Sequence, residues 1–154
     1  MARKPSGYVI YEGPSLLTGD PVVCVVTLRS RNRKTADMPQ TWIMRSDMHP
    51  IDANRLGRDD ANCGHCPSRG NATTERDHGQ ADDRACYVDW KPVISIYGAY
   101  KRGSYPVASG HAAIAAIGRG KTVRLGAYGD QAAVPSYIAE SLISEASAHT
   151  AYSH

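Results

Sequence analysis

Five of the seven residues in VVCVVTL (Val22–Leu28) are β-branched, and apolar side chains occupy both alternating sets of positions. Such residues are stiff at χ1 and favour the pleated backbone. A strand that is apolar on both faces is a buried central strand or lies between two layers. Cys24 stands in its middle and reads as a small hydrophobe, outside any ligand set.

The neighbouring segments supply partners for that strand. YVIYEG (Tyr8–Gly13) reads as a short strand and LTGDP (Leu17–Pro21) as a turn. PQTWIMRSD (Pro39–Asp47) returns to strand character, which predicts an antiparallel strand region over residues 8–47. In HPIDANRLG, Pro50 suits a first helical position and Gly57 a helix stop.

The second half changes character. ACYVDW (Ala85–Trp90) reads as a strand, and KPVISIYGAYKRG places Val93, Ile96, Tyr97 and Tyr100 at helical spacing. SYPVASGHAAIAAIGRG is small-residue material, a loop or a weak alanine-rich helix. KTVRLGAYG (Lys121–Gly129) reads as a strand, and VPSYIAESLISEASA as a helix with Ile138, Leu142 and Ala146 on one face. HTAYSH (His149–His154) reads as a last strand. Residues 85–154 thus predict a β-α-β-α-β unit with parallel strands, in a single mixed α/β domain spanning residues 1–154.

Between the halves lies a polar loop, residues 58–86, with no hydrophobic period. It holds three of the four cysteines in the chain. Loops this long inside a domain are functional or disordered, and a metal crosslink would order one. Cys63-x2-Cys66 puts two sulfurs on one turn, which suits tetrahedral zinc. Cys86 follows after nineteen further residues. With His78 as a fourth ligand the set is an ordinary Cys3His zinc site; His65, Asp77, Asp82 and Asp83 are the other candidates. Three thiolates and no fourth equally describe a [4Fe–4S] cluster with one iron left open. Spacing alone does not separate the two, and surface thiols in a loose loop are the plain alternative.

GYVIYEGPSLLTGDPVV, QTWIMRSDMHPIDA, CGHCPSRG, RACYV, AYKRGSYP and VRLGAYGDQAAVPSYI together resemble an uncharacterised family of phage and plasmid proteins. That family is distantly similar to radical-SAM-like barrel proteins of phages, in which a three-cysteine block precedes parallel β/α units. The resemblance implies that Cys63, Cys66 and Cys86 are cluster ligands. It also implies a partial barrel with Asp130 at the C-terminal end of a barrel strand, where barrel sites lie. The spacing here differs from the Cys-x3-Cys-x2-Cys of radical SAM enzymes, and three parallel strands cannot close a barrel.

GAYGD (Gly126–Asp130) sits between a predicted strand and a predicted helix. Gly126, Gly129 and Asp130 therefore form a candidate anion site at a helix N-terminus, with a tight turn as the simpler reading. The net charge is only +3, far from a strong nucleic-acid signature. The basic residues cluster in RSRNRK and YKRG, so Arg29, Arg31, Arg33, Lys34, Lys101 and Arg102 are candidates for contact with nucleic acid or a host protein. A solvated hairpin loop is the alternative for the first cluster. No stretch has the ~20 apolar residues of a membrane span, and the N-terminus lacks the apolar core of a secretory signal. Four cysteines in a cytoplasmic chain favour metal ligation over disulfides.

Three function classes remain: an iron–sulfur protein of a mobile element, a zinc-stabilised module that binds nucleic acid or a host protein, and a plain interaction domain. Nothing in the sequence assigns catalysis or a substrate. An unclosed sheet leaves an edge that a second copy would cover.

Overall fold

In a computed structural model of the chain, which describes residues 4–29 and 37–151, the β-branched run is the second strand of a five-stranded sheet. The strands are β1 (Gly7–Pro14), β2 (Pro21–Thr27), β3 (Gln40–Arg45), β4 (Thr122–Tyr128) and β5 (Ala148–Ala151). Their order in the sheet is the order in the chain. β1, β2 and β3 are antiparallel neighbours, and β4 and β5 add in parallel. The sheet is mixed and open.

Six of the seven β2 residues and all six of β3 are buried. Both faces are indeed covered. Val22, Cys24, Val26, Ile43, Val123 and Leu125 point to one side. There they pack with Ile114 of α4 (His111–Gly118) and with Ile138 and Leu142 of α5 (Ser136–Ile143). Val23, Val25, Trp42, Met44 and Tyr128 point to the other, against Val93 and Ile96 of α3 (Trp90–Lys101). Two of the polar side chains enclosed with these strands find partners. Trp42 Nε1 donates to Thr27 Oγ1 at 2.9 Å, and Arg45 pairs with Asp47 at 2.9 Å and Asp20 at 3.4 Å.

The segment 85–90 corrects the expected β-α-β-α-β unit, because it is not a strand. β4 has β3 on one side and β5 on the other, so the sheet has no position left there. Asp89 instead caps α3 by accepting from the Lys91 N–H at 3.1 Å. Tyr87 is 68% exposed, which an interior strand would not allow. The second half runs α3, α4, β4, α5, β5, and the parallel partner of β4 is β3 from the first half. The partial barrel is likewise absent, since five strands in an open sheet have two edges. Residues 106–108 flank part of the β1 edge through Val9.

The crossover from β3 to β4 carries two short helices before α3. These are α1 (Pro50–Arg55) and α2 (Asp60–Cys63). Pro50 starts α1, and His49 Nδ1 accepts from the Ile51 N–H at 3.2 Å. α2 runs into the cysteine loop and sits beside β3 and the end of β4. Among the described residues no helix is long and apolar enough to cross a membrane.

Candidate metal centre

Cys63, Cys66 and Cys86 line one small pocket, with a cavity of about 30 Å³, at the C-terminal end of β4. Cys63 ends α2, and Cys66 precedes a 3-10 turn over Pro67–Arg69. Cys86 belongs to the extended segment before α3, where the N–H groups of Ala85 and Cys86 both donate to Ser68 O at 3.0 Å. The rest of the wall is Arg69, Tyr87, Val88 and residues 126–129. No disulfide joins the cysteines. As the side chains stand, no three Cys, His, Asp or Glu groups among the described residues converge on one point as ligands.

The loop that carries these thiols is held by a polar network. Arg69 bonds the Asp59 carboxylate at 2.8 Å and donates to Gly64 O at 2.7 Å and Gly57 O at 2.9 Å. Asn54, which is buried, donates to Asp59 Oδ2 and to Arg69 O, both at 2.9 Å, and accepts from the Ala81 N–H at 2.8 Å. Paired backbone bonds between Asn71 and Asp82, 2.7 and 2.9 Å, close the distal part. The Arg84 guanidinium stacks 4.1 Å over the Trp90 ring, whose Nε1 donates to Gln80 Oε1 at 2.9 Å.

The thiols do not stand in equal surroundings. Burial pushes the Cys63 thiol well above the usual thiol range. The Asp59 carboxylate and Cys86 push the same way, and Arg69 opposes them. Cys63 is therefore neutral at neutral pH, with Asn62 Nδ2 3.2 Å from its sulfur. Tyr128 is buried beside it, and its hydroxyl is likewise pushed far up by burial. Cys24 lies in the opposite core, and burial pushes its thiol to about 12.

The 126–129 wall is shaped by an irregularity in the sheet. Between Gln40↔Arg124 and Trp42↔Tyr128 the β3–β4 register shifts. Gly126 takes φ +76° there, and its N–H donates to the Thr41 hydroxyl at 2.8 Å. Gly129 has φ +83°, and a Cβ on it would stand 2.6 Å from Ile43 O. Both positions need glycine for conformation, and the second also for space.

The remaining candidates fall in several places. His78 is exposed and does not line the pocket; its Nδ1 sits 3.0 Å from Asp77 Oδ1. His65 is exposed between the two cysteines and does not line it either. Gly126 and Gly129 do line it. The N–H of Gly126 already has its acceptor, and that of Asp130 donates to Asn62 O at 2.6 Å. Asp130 Oδ1 accepts from the Ala132 N–H at 2.9 Å, capping a 3-10 turn, so α5 begins only at Ser136. Lys101 and Arg102 are exposed at the end of α3, where Lys101 Nζ donates to Ser46 O at 3.1 Å. Arg29 is exposed, whereas Arg31, Arg33 and Lys34 lie outside the described residues.

Cysteine spacing did not point to Arg69, Asn54, Asp59 or Asn62. Arg69 is three residues from Cys66 in CGHCPSRG, so its proximity was readable. Asn54 lies on α1, and only the fold brings it there. In comparisons with known proteins, no family model, no curated protein and no solved structure matches the chain.

Proposed function

We propose that the protein is a metal-binding protein whose centre is held by Cys63, Cys66 and Cys86. The observation that carries this reading is that three thiols from separate parts of the loop, α2, the 3-10 turn and the pre-α3 segment, line one cavity. Thiolates in such a cluster bind soft and borderline ions, zinc first among the abundant ones. The cavity volume is only that of about two water molecules. That favours a single ion over a bulkier cofactor.

A [4Fe–4S] cluster is the second reading. It is favoured by the lining itself, which offers three thiols and no fourth Cys, His or carboxylate. It requires a wider cavity than the one these thiols line.

The test is elemental analysis by plasma mass spectrometry, with an absorbance spectrum, on protein purified without oxygen. One zinc per chain and no colour supports the single-ion centre. Iron with matching sulfide and a brown colour replaces it with the cluster. Neither metal, with all three thiols freely alkylated in the folded protein, refutes the metal reading altogether.

A further inference from the structure

Two of the pocket thiols support a chemistry that needs no metal. Cys63, Cys66 and Cys86 are all free thiols, and all three line one small cavity. Cys63 and Cys66 flank a two-residue turn, Gly64–His65. Such a turn keeps its flanking residues within about 7 Å of each other, which is the reach of a disulfide. Gly64 takes φ +63°, so the chain bends directly after Cys63. The turn is fixed from outside the pair. The Cys63 N–H donates to Asp59 O at 2.8 Å, the Arg69 guanidinium donates to Gly64 O at 2.7 Å, and the Arg69 N–H donates to Cys66 O at 3.2 Å. The two residues differ in access: Cys63 is half-buried, and Cys66 is 8% exposed. A Cys-x2-Cys pair with one accessible and one sheltered sulfur can exchange with an external disulfide in two steps.

We infer that Cys63 and Cys66 form a reversible dithiol–disulfide couple whose reaction partner is a small disulfide of the glutathione type. The Cys63 sulfur gives its proton to solvent and attacks one sulfur of the oxidised glutathione. That S–S bond breaks, a mixed disulfide forms on Cys63, and the first glutathione leaves as a thiolate that takes up a proton. The Cys66 sulfur, its proton also lost to solvent, then attacks the Cys63 sulfur. The Cys63–Cys66 bond forms, and the second glutathione leaves and is protonated in turn. Two electrons pass from the cysteine pair to the glutathione disulfide, and two glutathione thiols result. Cys86 remains a thiol throughout.

The test uses full-length protein purified without oxygen, with its zinc and iron content measured first. It is equilibrated in glutathione buffers of rising oxidised-to-reduced ratio, quenched in acid and weighed intact by mass spectrometry, and its cross-linked peptides are mapped. The expected result is a loss of about 2 Da, one disulfide's worth of hydrogen, that follows the glutathione ratio and is reversed by dithiothreitol. The mapped cross-link is Cys63–Cys66, and Cys86→Ser shows the same loss while Cys66→Ser does not. An unchanged mass, glutathione adducts without the internal bond, or a cross-link that uses Cys86 overturns the inference. The mapping on wild-type protein decides this even where a variant fails to fold. Metal in the reduced protein with no disulfide in any buffer overturns the couple and leaves the metal centre standing. The disulfide in protein that holds neither zinc nor iron supports the couple and removes the metal centre.

Discussion

Replacing Arg69 by leucine tests whether the polar network orders the cysteine loop. The Asp59 side chain is 3% exposed and that of Arg69 17%, and the two meet at 2.8 Å. Leucine leaves a buried carboxylate with the Asn54 amide as its remaining side-chain donor. Removing one member of a buried ion pair costs about 3–5 kcal/mol, and the partial exposure of Arg69 places the expected loss near the lower end. Two guanidinium bonds to Gly64 O and Gly57 O disappear as well, at about 1 kcal/mol each. The loop opens before the sheet does, because the network touches α1, α2 and the 3-10 turn but no strand. Alkylation of Cys63 and Cys66 under native conditions should therefore accelerate at least about a hundredfold, as expected for a local opening made about 3 kcal/mol or more easier. Adding Asp59→Asn should restore part of the loss, since the uncompensated charge is then gone. A loss under about 1 kcal/mol in Arg69→Leu, with no faster alkylation, would refute the assignment of loop order to this network.

Three further outcomes follow from single positions. Gly129→Ala combines a left-handed backbone, worth about 1–2 kcal/mol, with a Cβ 2.6 Å from Ile43 O and 2.8 Å from Ile43 Cβ. A Tm lower by about 4–8 °C in calorimetry is expected, and an unchanged Tm would contradict the close approach. Cys24→Ser places a hydroxyl in the β2 core at about 1–3 kcal/mol, seen as a lower urea midpoint. Metal content per chain should stay the same, and a fall would return Cys24 to the ligand set. Metal affinity should rise with pH, because the neutral Cys63 thiol has to lose its proton to the solvent before the sulfur binds the ion. The slope is about one decade per pH unit or more across roughly pH 6 to 8. A flat competition titration over that window would mean the thiol is already ionised.

The strands of the first half were legible because their physics is local. β-branched runs, a turn at Leu17–Pro21 and a proline-started helix at Pro50 each carry their own signal, and all three stand where the residues place them. The strand expected at 85–90 failed for a reason no window of residues contains. Tyr87 and Val88 have strand propensity, but β4 already has two partners, and Asp89 has a helix to cap. The parallel pairing of β4 with β3 spans residues 46–121, far beyond any periodicity. At the site, the three cysteines were readable from composition and spacing. The pocket that joins them was not, since it depends on where the C-terminal end of β4 lands. From the sequence, the glycines of GAYGD read as a candidate anion turn. The structure places them in the same wall, with the N–H of Gly126 used up by Thr41.

The network also changes what a metal would be for. From the sequence, an ion is the natural way to order a long polar loop, so its removal should collapse the loop. The structure orders the loop by other means: Arg69, Asn54 and Asp59 at its base, Asn71 with Asp82 further out, and the Arg84–Trp90 stack at its exit. In zinc-finger peptides the ion supplies nearly all the folding free energy, about 10–16 kcal/mol. Here the ion would contribute only by mass action, about 4 kcal/mol when free ion exceeds its Kd a thousandfold. Chelation should therefore lower the Tm while leaving far-ultraviolet circular dichroism at room temperature and the cooperativity of unfolding intact. Chelated protein that loses its cooperative transition, or whose 58–86 segment is cut at once by a protease, would make the ion a staple after all. If the loop survives chelation, the three thiols are not needed for order, and what remains for them is the chemistry of the bound ion.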